Sequence, residues 1–506
     1  MYLTQGLHRT VQRDPQRTFS IDGARTLTYQ QAVERIARLA AGLRAFGVGT
    51  DDRLAILALN SDGYVQSLLA IAWADAVMVP VNIRWSVPEI AYSFEEADVA
   101  TLLVDAAFAP MVEALKTAVP RLKNVVYVGE NTVPVGMTGF EQLIADSAPI
   151  GDAHRRGDAL AGIFYTGGTT GFPKGVMLSH RNIATSAMGF ASVGELTPGG
   201  RTLYAAPIFH LAALASFVAA TIMGSTHVSV PQFEPLAVLS AIEKHRVTDA
   251  LLVPTMIQLL VDHPDVDAFD VSSIAQLFYG ASPISDALLV RARAVLSGAK
   301  FIQGYGMTEL SPVATLLEDA DHDDPQLRRS AGRAAPHALV KVVDPDGNEV
   351  PRGTVGEIVC SGDHVMLGYW NKPQETAAAV RDGWMHTGDG GYMDERGYVF
   401  VVDRIKDMII TGGENVYSAE VENVIAQHPA VAQCAVIGVA DAQWGERVHA
   451  VVALVPGAEL TVEELREHCR AQIAGYKCPR SLEIVTEFPM SAAGKILKRE
   501  LRERHR

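Results

Sequence analysis

The spacing of apolar and polar positions predicts one well-marked helix near the start of the chain. Thr28 and Gln31 stand at the spacing of a capping box, and apolar residues then recur at helical intervals at positions 36, 39, 40 and 43. Gly47 follows and can adopt the left-handed conformation that ends a helix. The sequence therefore predicts a helix that begins after Thr28 and ends before Gly47.

Short apolar runs follow this helix, with helical stretches between them. The runs cover residues 54–59, 76–81, 100–104 and 125–128. Strands that alternate with helices are typical of a mainly parallel sheet, so the pattern predicts an α/β fold. The most apolar stretch, 211–223, is too short to span a bilayer and predicts a buried helix.

The pattern changes from about Leu339 to strand-like segments broken by turns, for example at residues 344–347 and 394–397. It predicts an antiparallel or barrel-like β region that closes a large first domain. Beyond residue 403 the pattern reads helix, strand, strand, helix, strand and then a basic end. We therefore expect a large domain over 1–402, a boundary at 403–406 and a small α+β domain over 407–506.

Composition and charge narrow the class of protein. The 506 residues are 48% hydrophobic and 20% charged, which is typical of a globular chain, and the net charge is −15. This charge disfavours binding to nucleic acid or to anionic lipid. Four cysteines without a CxxC spacing and the lack of a signal-peptide pattern favour a cytoplasmic protein without an integral membrane segment.

A glycine- and threonine-rich segment, residues 165–175, carries the strongest chemical signal. Glycines let backbone N–H groups approach an anion, and hydroxyl and ammonium donors strengthen the binding of phosphates. The segment follows a predicted strand over 160–164 and precedes another over 176–179, and it lacks the Gly-Lys-Ser/Thr ending of a Walker A loop. The residues that we expect to bind phosphates are Thr166, Gly167, Gly168, Thr169, Thr170, Gly171 and Lys174.

This segment resembles the phosphate-binding loop of the adenylate-forming superfamily, which includes acyl-CoA synthetases, luciferases and peptide-synthetase adenylation domains. Gly167 replaces the usual serine of that loop. The resemblance extends over nearly the whole chain, because further motifs follow in the family's order at residues 303–309, 386–389, 403–404 and 489–495. Met490 departs from the basic residue that is usual in the last motif. The resemblance implies a small mobile C-terminal lid domain on a large N-terminal domain that binds ATP and the acyl group.

The resemblance also implies a role for each matching residue. Tyr305 would stack on a purine, Asp389 and Arg404 would bind the ribose, Lys406 would act as the hinge, and Lys495 would neutralise charge at the α-phosphate. The implied catalytic residues are His210, Thr308, Glu309 and Lys495, and the implied Mg²⁺ ligands are Glu309 and Thr166. Gly280, Ala281 and Ser282 resemble the segment whose backbone contacts the adenine, and Gly304 is a further implied cofactor-binding residue.

Two further features resemble coenzyme A contacts of CoA ligases. Gly412 and Gly413 match a loop that lines the pantetheine tunnel, and Trp444 matches a position that contacts coenzyme A in some relatives. The expected cofactors are therefore ATP, Mg²⁺ and coenzyme A. The resemblance leaves open a homodimer, and also an enzyme that passes the acyl group to a carrier-protein pantetheine or another acceptor.

The residues near His210 bear on the carboxylate substrate. In the family that the chain resembles, peptide-synthetase domains generally carry Asp near the position of His210 to hold an α-ammonium group, whereas residues 211–214 here include no acid. Malonate-using relatives tend to carry Arg at the position of Gly304 to pair with the second carboxylate, and glycine cannot supply that charge. We therefore expect an apolar monocarboxylate as substrate. A medium- or long-chain fatty acid and an aryl acid such as a hydroxycinnamate both remain open. A binding module for ATP without ligase activity is the alternative from another class.

Overall fold

The computed structural model describes residues 1–166, 173–193, 196–404, 407–412, 414–441, 443–490 and 496–505, without the side chain of Asn415. The chain forms two compact units. The described residues of the first unit lie within 1–166, 172–340 and 360–385, and those of the second lie within 341–359 and 386–506. The predicted boundary at 403–406 stays a prediction.

The helices of the first unit alternate with its strands along the chain. They are α1 (Gln5–Arg13), α2 (Tyr29–Ala45), α3 (Asp62–Trp73), α4 (Val87–Glu96), α5 (Val112–Ala118), α6 (Phe140–Asp146), α7 (His180–Val193), α8 (Leu211–Met223), α9 (Pro235–His245), α10 (Pro254–Val261), α11 (Asp286–Val295) and α12 (Pro373–Ala379).

Two large mixed sheets form the centre of the first unit. The nine-stranded sheet contains β1 (Thr18–Asp22), β2 (Arg25–Thr28), β10 (Arg201–Tyr204), β11 (Thr226–Ser229), β12 (Asp249–Leu251), β13 (Gln276–Gly280), β14 (Lys300–Tyr305), β15 (Thr315–Leu317) and β16 (Arg333–Ala334). The eight-stranded sheet contains β3 (Arg53–Leu57), β4 (Val77–Pro80), β5 (Thr101–Asp105), β6 (Asn124–Val128), β7 (Thr138–Gly139), β8 (Leu160–Thr166), β9 (Lys174–Ser179) and β19 (Gly368–Tyr369).

The centre of each large sheet is parallel. Strand β3 pairs in parallel with β4 and β5, and β13 pairs in parallel with β12 and β14. Antiparallel pairing is found at β8–β9 and β14–β15. Parallel strands connected by helices bring their carboxyl ends to one edge, which is where such sheets bind ligands. The predicted α/β class with mainly parallel sheets is confirmed.

The two helices predicted from the hydrophobic pattern are confirmed. Helix α2 begins after Thr28, whose side chain and that of Gln31 form the reciprocal capping box, and Gly47 adopts a positive φ of 88° just beyond the helix. Helix α8 covers 211–223 as predicted, and most of its residues are buried. Among the described residues, none of the helices combines the length and apolar character that a membrane crossing requires.

Two five-stranded sheets follow in the last third of the chain. One contains β17 (Leu339–Val343), β18 (Gly356–Ser361), β20 (Val380–Arg381), β21 (Trp384–Met393) and β22 (Val399–Arg404). The other contains β23 (Ile409–Thr411), β24 (Glu414–Val416), β25 (Val431–Asp441), β26 (Gly445–Leu454) and β27 (Ser481–Ile484). The last three helices are α13 (Ser418–Ile425), α14 (Val462–Arg470) and α15 (Lys498–Glu503).

The order predicted for the last hundred residues is confirmed as α13, β25, β26, α14 and β27. The hairpin of β23 and β24 precedes it and was not predicted, because its strands are only three residues long. The basic end forms α15, which Leu501 anchors in a small apolar cluster with Ile437, Val451 and Phe488. The expected α+β character of the C-terminal region is therefore confirmed.

The four cysteines are free. Three of them are buried, and Cys434 is half-buried. Burial raises the pKa of the Cys434 thiol and that of the Cys469 thiol to about 12, and it also raises the pKa of Cys478. These three thiols therefore stay protonated at neutral pH.

Candidate functional site

A small cavity in the first unit collects residues from the carboxyl ends of strands in both large sheets. Its volume is about 30 Å³. Asn82 follows β4, Tyr165 lies near the end of β8, His210 follows β10 and Thr308 follows β14. The remaining lining residues are apolar, namely Pro80, Phe164, Phe209 and Leu211. Two of the predicted catalytic residues, His210 and Thr308, thus line one cavity with room for a group the size of a carboxylate.

His210 occupies the N-cap position of α8. Its backbone carbonyl accepts hydrogen bonds from the N–H groups of Ala213 and Leu214, and its ring lies 4.2 Å from the ring of Phe209 between centroids. The N-terminus of a helix carries a partial positive charge that favours an anion. The imidazole and the helix end therefore make this side of the cavity suitable for a carboxylate.

Tyr165 contributes a neutral phenol to the same cavity. Burial, followed by the negative charge of Glu96, raises the pKa of Tyr165 well above its ordinary value. Glu96 also pairs with Lys372 at 3.1 Å and accepts a hydrogen bond from the hydroxyl of Tyr92 at 3.3 Å. Sequence reasoning did not assign a role to Tyr165 or Asn82, because neither stands out until the two sheets bring their strand ends together.

Glu309 lies in a short 3₁₀ turn next to Thr308 and is only 6% exposed. The hydroxyl of Tyr369 donates a hydrogen bond to the Glu309 carboxylate at 2.8 Å. Burial, and then the charge of Glu309, raises the pKa of Tyr369, so this phenol remains a donor. The Lys174 ammonium lies 5.0 Å from the centroid of the Tyr369 ring, a cation–π distance. Tyr369 thus links the predicted phosphate-binding lysine to the predicted metal ligand.

The side chains predicted to bind magnesium are of the types that the ion prefers. Mg²⁺ is a hard cation that prefers oxygen ligands and binds through one or two carboxylates together with phosphates and water. Glu309 supplies a buried carboxylate, and the side chains of Thr308 and Thr166 supply hydroxyl oxygens. The residue types present are therefore those that Mg²⁺ requires.

The phosphate-binding segment begins and ends on paired strands. Thr166 pairs with Lys174 in the β8–β9 ladder, and the Thr166 hydroxyl lies 3.5 Å from the Lys174 carbonyl oxygen. The other residues predicted to bind phosphates, Gly167, Gly168, Thr169, Thr170 and Gly171, lie outside the described residues.

The predicted adenine-binding segments lie side by side at the ends of β13 and β14. Gly280 pairs with Gly304, and a Cβ atom on Gly280 would stand 2.3 Å from the Gly304 carbonyl oxygen. Ala281 follows with a φ of +65°, which is uncommon for a residue other than glycine. Ser282 is exposed, and Tyr305 ends β14 as a half-buried residue. The structure therefore brings the two segments together at one strand edge.

In the second unit, the predicted ribose ligands Asp389 and Arg404 pair across β21 and β22. The Arg404 Nε atom lies 2.6 Å from the Asp389 carboxylate, and an Arg404 N–H donates to the Thr387 carbonyl at 3.3 Å. Asp403 serves another purpose, because its carboxylate accepts hydrogen bonds from the Ser418 hydroxyl at 2.5 Å and the Ala419 N–H at 3.1 Å. It caps the start of α13.

Gly412 and Trp444, two of the predicted coenzyme A contacts, lie together in the second unit. The Gly412 N–H donates to the Trp444 carbonyl at 2.8 Å, and a Cβ atom on Gly412 would stand 2.9 Å from the Trp444 ring. The Arg480 guanidinium lies 4.0 Å from the centroid of the same ring. Sequence reasoning missed Arg480, which carries no motif of its own. Gly413 lies outside the described residues.

Two basic residues near the end of the chain form ion pairs within the second unit. Lys498 pairs with Glu422 at 2.7 Å, and Arg502 pairs with Asp407 at 2.8 Å. Lys406 and Lys495, the predicted hinge and catalytic lysine, lie outside the described residues, so their roles stay predictions.

Comparison with known families accounts for most of the chain. Residues 7–370 match the family model described as AMP-binding enzyme, and residues 420–495 match the AMP-binding enzyme C-terminal domain. The chain is 41% identical over 497 residues to a feruloyl-CoA synthase of an Amycolatopsis species, covering 98% of this chain and 97% of that protein. It is 37% identical over 498 residues to the fatty acid–acyl-carrier-protein ligase ScoC of Streptomyces coeruleorubidus, covering 97% and 94% of the two chains.

A solved structure shares the fold over nearly the full length. The o-succinylbenzoate CoA synthetase of Bacillus subtilis, in complex with its acyl-adenylate intermediate, superposes with a TM-score of 0.87 at 30% identity, covering 98% of this chain and 97% of that one. The same synthetase in complex with ATP and a magnesium ion superposes with a TM-score of 0.86.

Proposed function

We propose that this chain, which belongs to the family of AMP-binding enzymes, joins an apolar monocarboxylic acid to coenzyme A. The chain is an ATP-dependent, AMP-forming ligase of the adenylate-forming superfamily, and ATP, Mg²⁺ and coenzyme A are its cofactors. The identity of the acid and the roles of individual residues are the parts that we propose.

One observation carries the proposal. Four strand ends deliver His210, Thr308, Tyr165 and Asn82 to a single cavity, and Glu309 lies next to Thr308. A carboxylate in this cavity would have the imidazole and the N-terminus of α8 on one side and the Thr308 hydroxyl on the other. We assign the cavity to the carboxylate of the substrate.

The lining favours an acid with one carboxylate and an apolar body. Apart from His210 and Tyr165, none of the eight described lining residues has an ionisable side chain. Helix α8, which starts at the cavity, is apolar apart from Ser216 and Thr221 and carries no charged residue. The cavity has room for one carboxylate, so the rest of the acid would lie outside it, and a second carboxylate or an ammonium group buried beside α8 would find no charged partner on that helix, at a cost of several kcal/mol. Fatty acids and aryl acids both satisfy these conditions.

In the first half-reaction, a carboxylate oxygen of the substrate attacks the α-phosphorus of ATP. The new acyl–oxygen–phosphorus linkage forms as the bond to the β-phosphate breaks, and pyrophosphate leaves. Lys174 and the glycine-rich segment would hold the leaving phosphates, while Thr308 and Lys495 would stabilise charge at the α-phosphate. Mg²⁺, when bound by Glu309, neutralises phosphate charge.

In the second half-reaction, the thiolate of coenzyme A attacks the acyl carbonyl carbon and AMP leaves. The acyl phosphate is needed because a free carboxylate is a poor electrophile. Gly412 and Trp444 would contact the pantetheine arm, with Arg480 holding the indole in place. A rotation about Lys406 would withdraw Lys495 between the two steps.

A carrier-protein acceptor is the second candidate. The relative from Streptomyces coeruleorubidus is named a ligase of fatty acids to an acyl-carrier protein, and it covers nearly the whole chain. Coenzyme A and a carrier protein present the same pantetheine thiol, so the first half-reaction would be identical.

The deciding experiment supplies the enzyme with ATP, Mg²⁺, and either coenzyme A or a carrier protein loaded with phosphopantetheine. Fatty acids of graded length, hydroxycinnamates, benzoate and malonate are offered separately, and thioesters are measured by mass spectrometry. We expect a coenzyme A thioester with one class of apolar acid and none with malonate. Thioester on the carrier protein alone would favour the second candidate, and malonyl thioester would overturn the assignment of the cavity.

The Glu309→Gln variant serves as the control that shows how much pyrophosphate release remains without the proposed magnesium ligand. It keeps the size of the side chain and removes the charge that Mg²⁺ needs. Pyrophosphate release that depends on the acid should fall at least about 100-fold, a loss comparable to that of one strong transition-state contact.

A further inference from the structure

Three side chains that bind metals well meet in the second unit and have no part in the proposed reaction. They are His449 on β26, Glu483 on β27 and His505 just after α15. The His505 Nε2 atom lies 2.8 Å from Glu483 Oε2, and the His449 Nε2 atom lies 3.9 Å from the same oxygen. All three ligand atoms lie within 4.8 Å of one another.

His449 is held ready to act as a ligand. It is 4% exposed, and its Nδ1 atom lies 2.7 Å from the Ser481 hydroxyl oxygen. Its Nε2 atom is buried without a hydrogen-bond partner among the described residues. A histidine that binds a metal commonly donates its other ring N–H to an oxygen, which fixes the tautomer. With Nδ1–H donating to Ser481, the lone pair on Nε2 faces Glu483 and His505.

The surrounding elements fix the positions of all three residues. His449 pairs with Ser481 in the parallel β26–β27 ladder, and Glu483 stands two residues further on, on the same face as Ser481. His505 follows α15, which Leu501 anchors in the apolar cluster and Arg502 ties to Asp407. The cluster is therefore assembled from three packed elements.

We propose that His449, Glu483 and His505 bind a divalent transition-metal ion, of which Zn²⁺ is the best match. Two imidazoles and one carboxylate form a common zinc ligand set, with a fourth position left for water. Ligands at about 2.1 Å from a tetrahedral ion stand roughly 3.4 Å from one another. The His449–Glu483 separation would have to shorten and the His505–Glu483 separation to lengthen, each by about half an ångström.

Electrostatics agree with this choice. Burial is the main cause that lowers the pKa of His449 to about 4. Arg447 donates to Ser481 at 3.2 Å and is the nearby cation that opposes binding. Because both ligand nitrogens must be unprotonated, binding should weaken as the pH falls.

A second cluster in the first unit provides a comparison. His8, Asp152 and His154 also lie close together, but the Asp152 oxygen already accepts hydrogen bonds from Thr4 at 2.6 Å and from His8 at 2.7 Å. The side chains of His8 and His154 are 33% and 56% exposed. Its two histidines are thus more exposed than His449 and His505, whose side chains are 6% and 23% exposed, and we treat it as the control site.

A metal at the proposed site would hold α15 against β26 and β27. This helix follows the segment 491–495, which contains Lys495. An ion that binds the folded unit and not the unfolded chain stabilises the folded unit by mass action. The proposal is independent of the proposed function, since it concerns residues outside the reaction.

The test uses the full chain after treatment with a chelator, with excess Mg²⁺ present to occupy hard oxygen sites. Zn²⁺ is titrated by calorimetry into the wild type and into His449→Gln, Glu483→Gln and His154→Gln. We expect one tightly bound Zn²⁺ per wild-type chain, binding weakened at least tenfold in the first two variants, and unchanged binding in His154→Gln.

Two results would overturn the proposal, namely no tight site in the wild type, or a site that His154→Gln removes and His449→Gln leaves intact. His505→Gln, on a half-buried residue at the end of α15, replaces His449→Gln if that variant does not fold. Co²⁺ added in place of Zn²⁺ gives a second measurement, because tetrahedral coordination with imidazole ligands produces strong visible absorption. Glu483→Gln should reduce this absorption if the proposal is right, and an unchanged spectrum would contradict it.

Discussion

The hydroxyl of Tyr369 donates a 2.8 Å hydrogen bond to the buried carboxylate of Glu309. The two residues are sixty positions apart, and β19 brings Tyr369 next to the turn that carries Glu309. Lys174 lies over the same tyrosine ring. Tyr369 is therefore a positioning residue for the proposed magnesium ligand.

Replacing Tyr369 by phenylalanine should weaken the use of Mg²⁺ rather than the binding of the acid. Removal of one partner of a buried charged group costs about 1–3 kcal/mol, or roughly 5- to 150-fold. We expect the Mg²⁺ concentration for half-maximal pyrophosphate exchange to rise by about tenfold, with little change in KM for the acid. Tyr392→Phe, whose ring stacks on Phe400 in the second unit, is the control. An equal rise in the Mg²⁺ concentration for half-maximal exchange and in KM for the acid would indicate general damage to the fold.

Lys495 is proposed to act in the first half-reaction and not in the second, so a variant should affect the two differently. Lys495→Ala should lower acyl-adenylate formation at least about 100-fold, because it removes a cation from the transition state. The same variant should still convert supplied acyl-AMP to thioester. Pyrophosphate exchange and thioester formation are measured side by side, with Lys123→Ala, an exposed lysine of the first unit, as control. Equal loss of both activities would contradict the assignment of Lys495 to acyl-adenylate formation.

Gly280 and Gly304 form a matched pair at the ends of β13 and β14. Gly280→Ala would force its new methyl group to within 2.3 Å of the Gly304 carbonyl oxygen and should destabilise the protein by about 1–3 kcal/mol. Gly304→Ala would place its methyl group 3.8 Å from Leu316 and Val313, an ordinary contact. Thermal unfolding should therefore separate the two variants, and ATP–pyrophosphate exchange should fall mainly in Gly280→Ala. Similar melting temperatures would contradict the conclusion that Gly280, unlike Gly304, has no room for a side chain.

Gly412 tests the proposed coenzyme A contact. Gly412→Ala carries a strain of about 1–2 kcal/mol from its φ of +62° and also crowds the Trp444 ring at 2.9 Å. Gly457→Ala carries the same kind of strain at a φ of +81° and has no atom within 4 Å. We expect thioester formation to fall in Gly412→Ala alone, while pyrophosphate exchange stays near the wild-type rate in both. A fall in pyrophosphate exchange would mean that the change acts on the first step.

Asp249 gives the stability a predictable dependence on pH. Burial raises the pKa of Asp249 to about 6, although Thr248 and Thr197 donate hydrogen bonds that oppose the shift. The folded protein then binds this proton more tightly than the unfolded chain, so stability falls as the pH rises from about 4 to 6 and beyond. Between pH 5 and 7.5 the loss should be about 1 kcal/mol.

Thermal unfolding at the two pH values checks this prediction. The Asp249→Asn variant should lose less stability than the wild type over the same range, since it has no proton to release. Asp346→Asn, at an exposed turn position, should behave like the wild type. A wild type whose melting temperature rises between pH 5 and 7.5 relative to Asp249→Asn would contradict the direction of the shift.

The sequence predicted the elements that depend on local signals. Helix α2 follows from its capping box, α8 from an apolar run of the right length, and the parallel strands from short buried stretches. The hairpin of β23 and β24 was missed because strands of three residues are too short to show an alternation of apolar and polar positions.

The predicted site depended on motif resemblance, and its assembly could not be predicted from the chain. His210 and Thr308 are nearly a hundred residues apart, and only the meeting of strand ends brings them to one cavity. Tyr369 and Arg480 were missed because their partners, Glu309 and Trp444, are distant in sequence. A single sequence does not encode such pairs in any local pattern.

The state of the cysteines has a practical consequence for kinetics. Cys434 and Cys469 have pKa values near 12, and the other two thiols are buried, so the protein's own sulfur atoms should react slowly with disulfide reagents. Coenzyme A, by contrast, carries an accessible thiol. A chromogenic disulfide consumes the free thiol, so it is added to samples withdrawn at intervals, where it should titrate the remaining coenzyme A with little background from the enzyme. The second half-reaction can then be followed over time without a label.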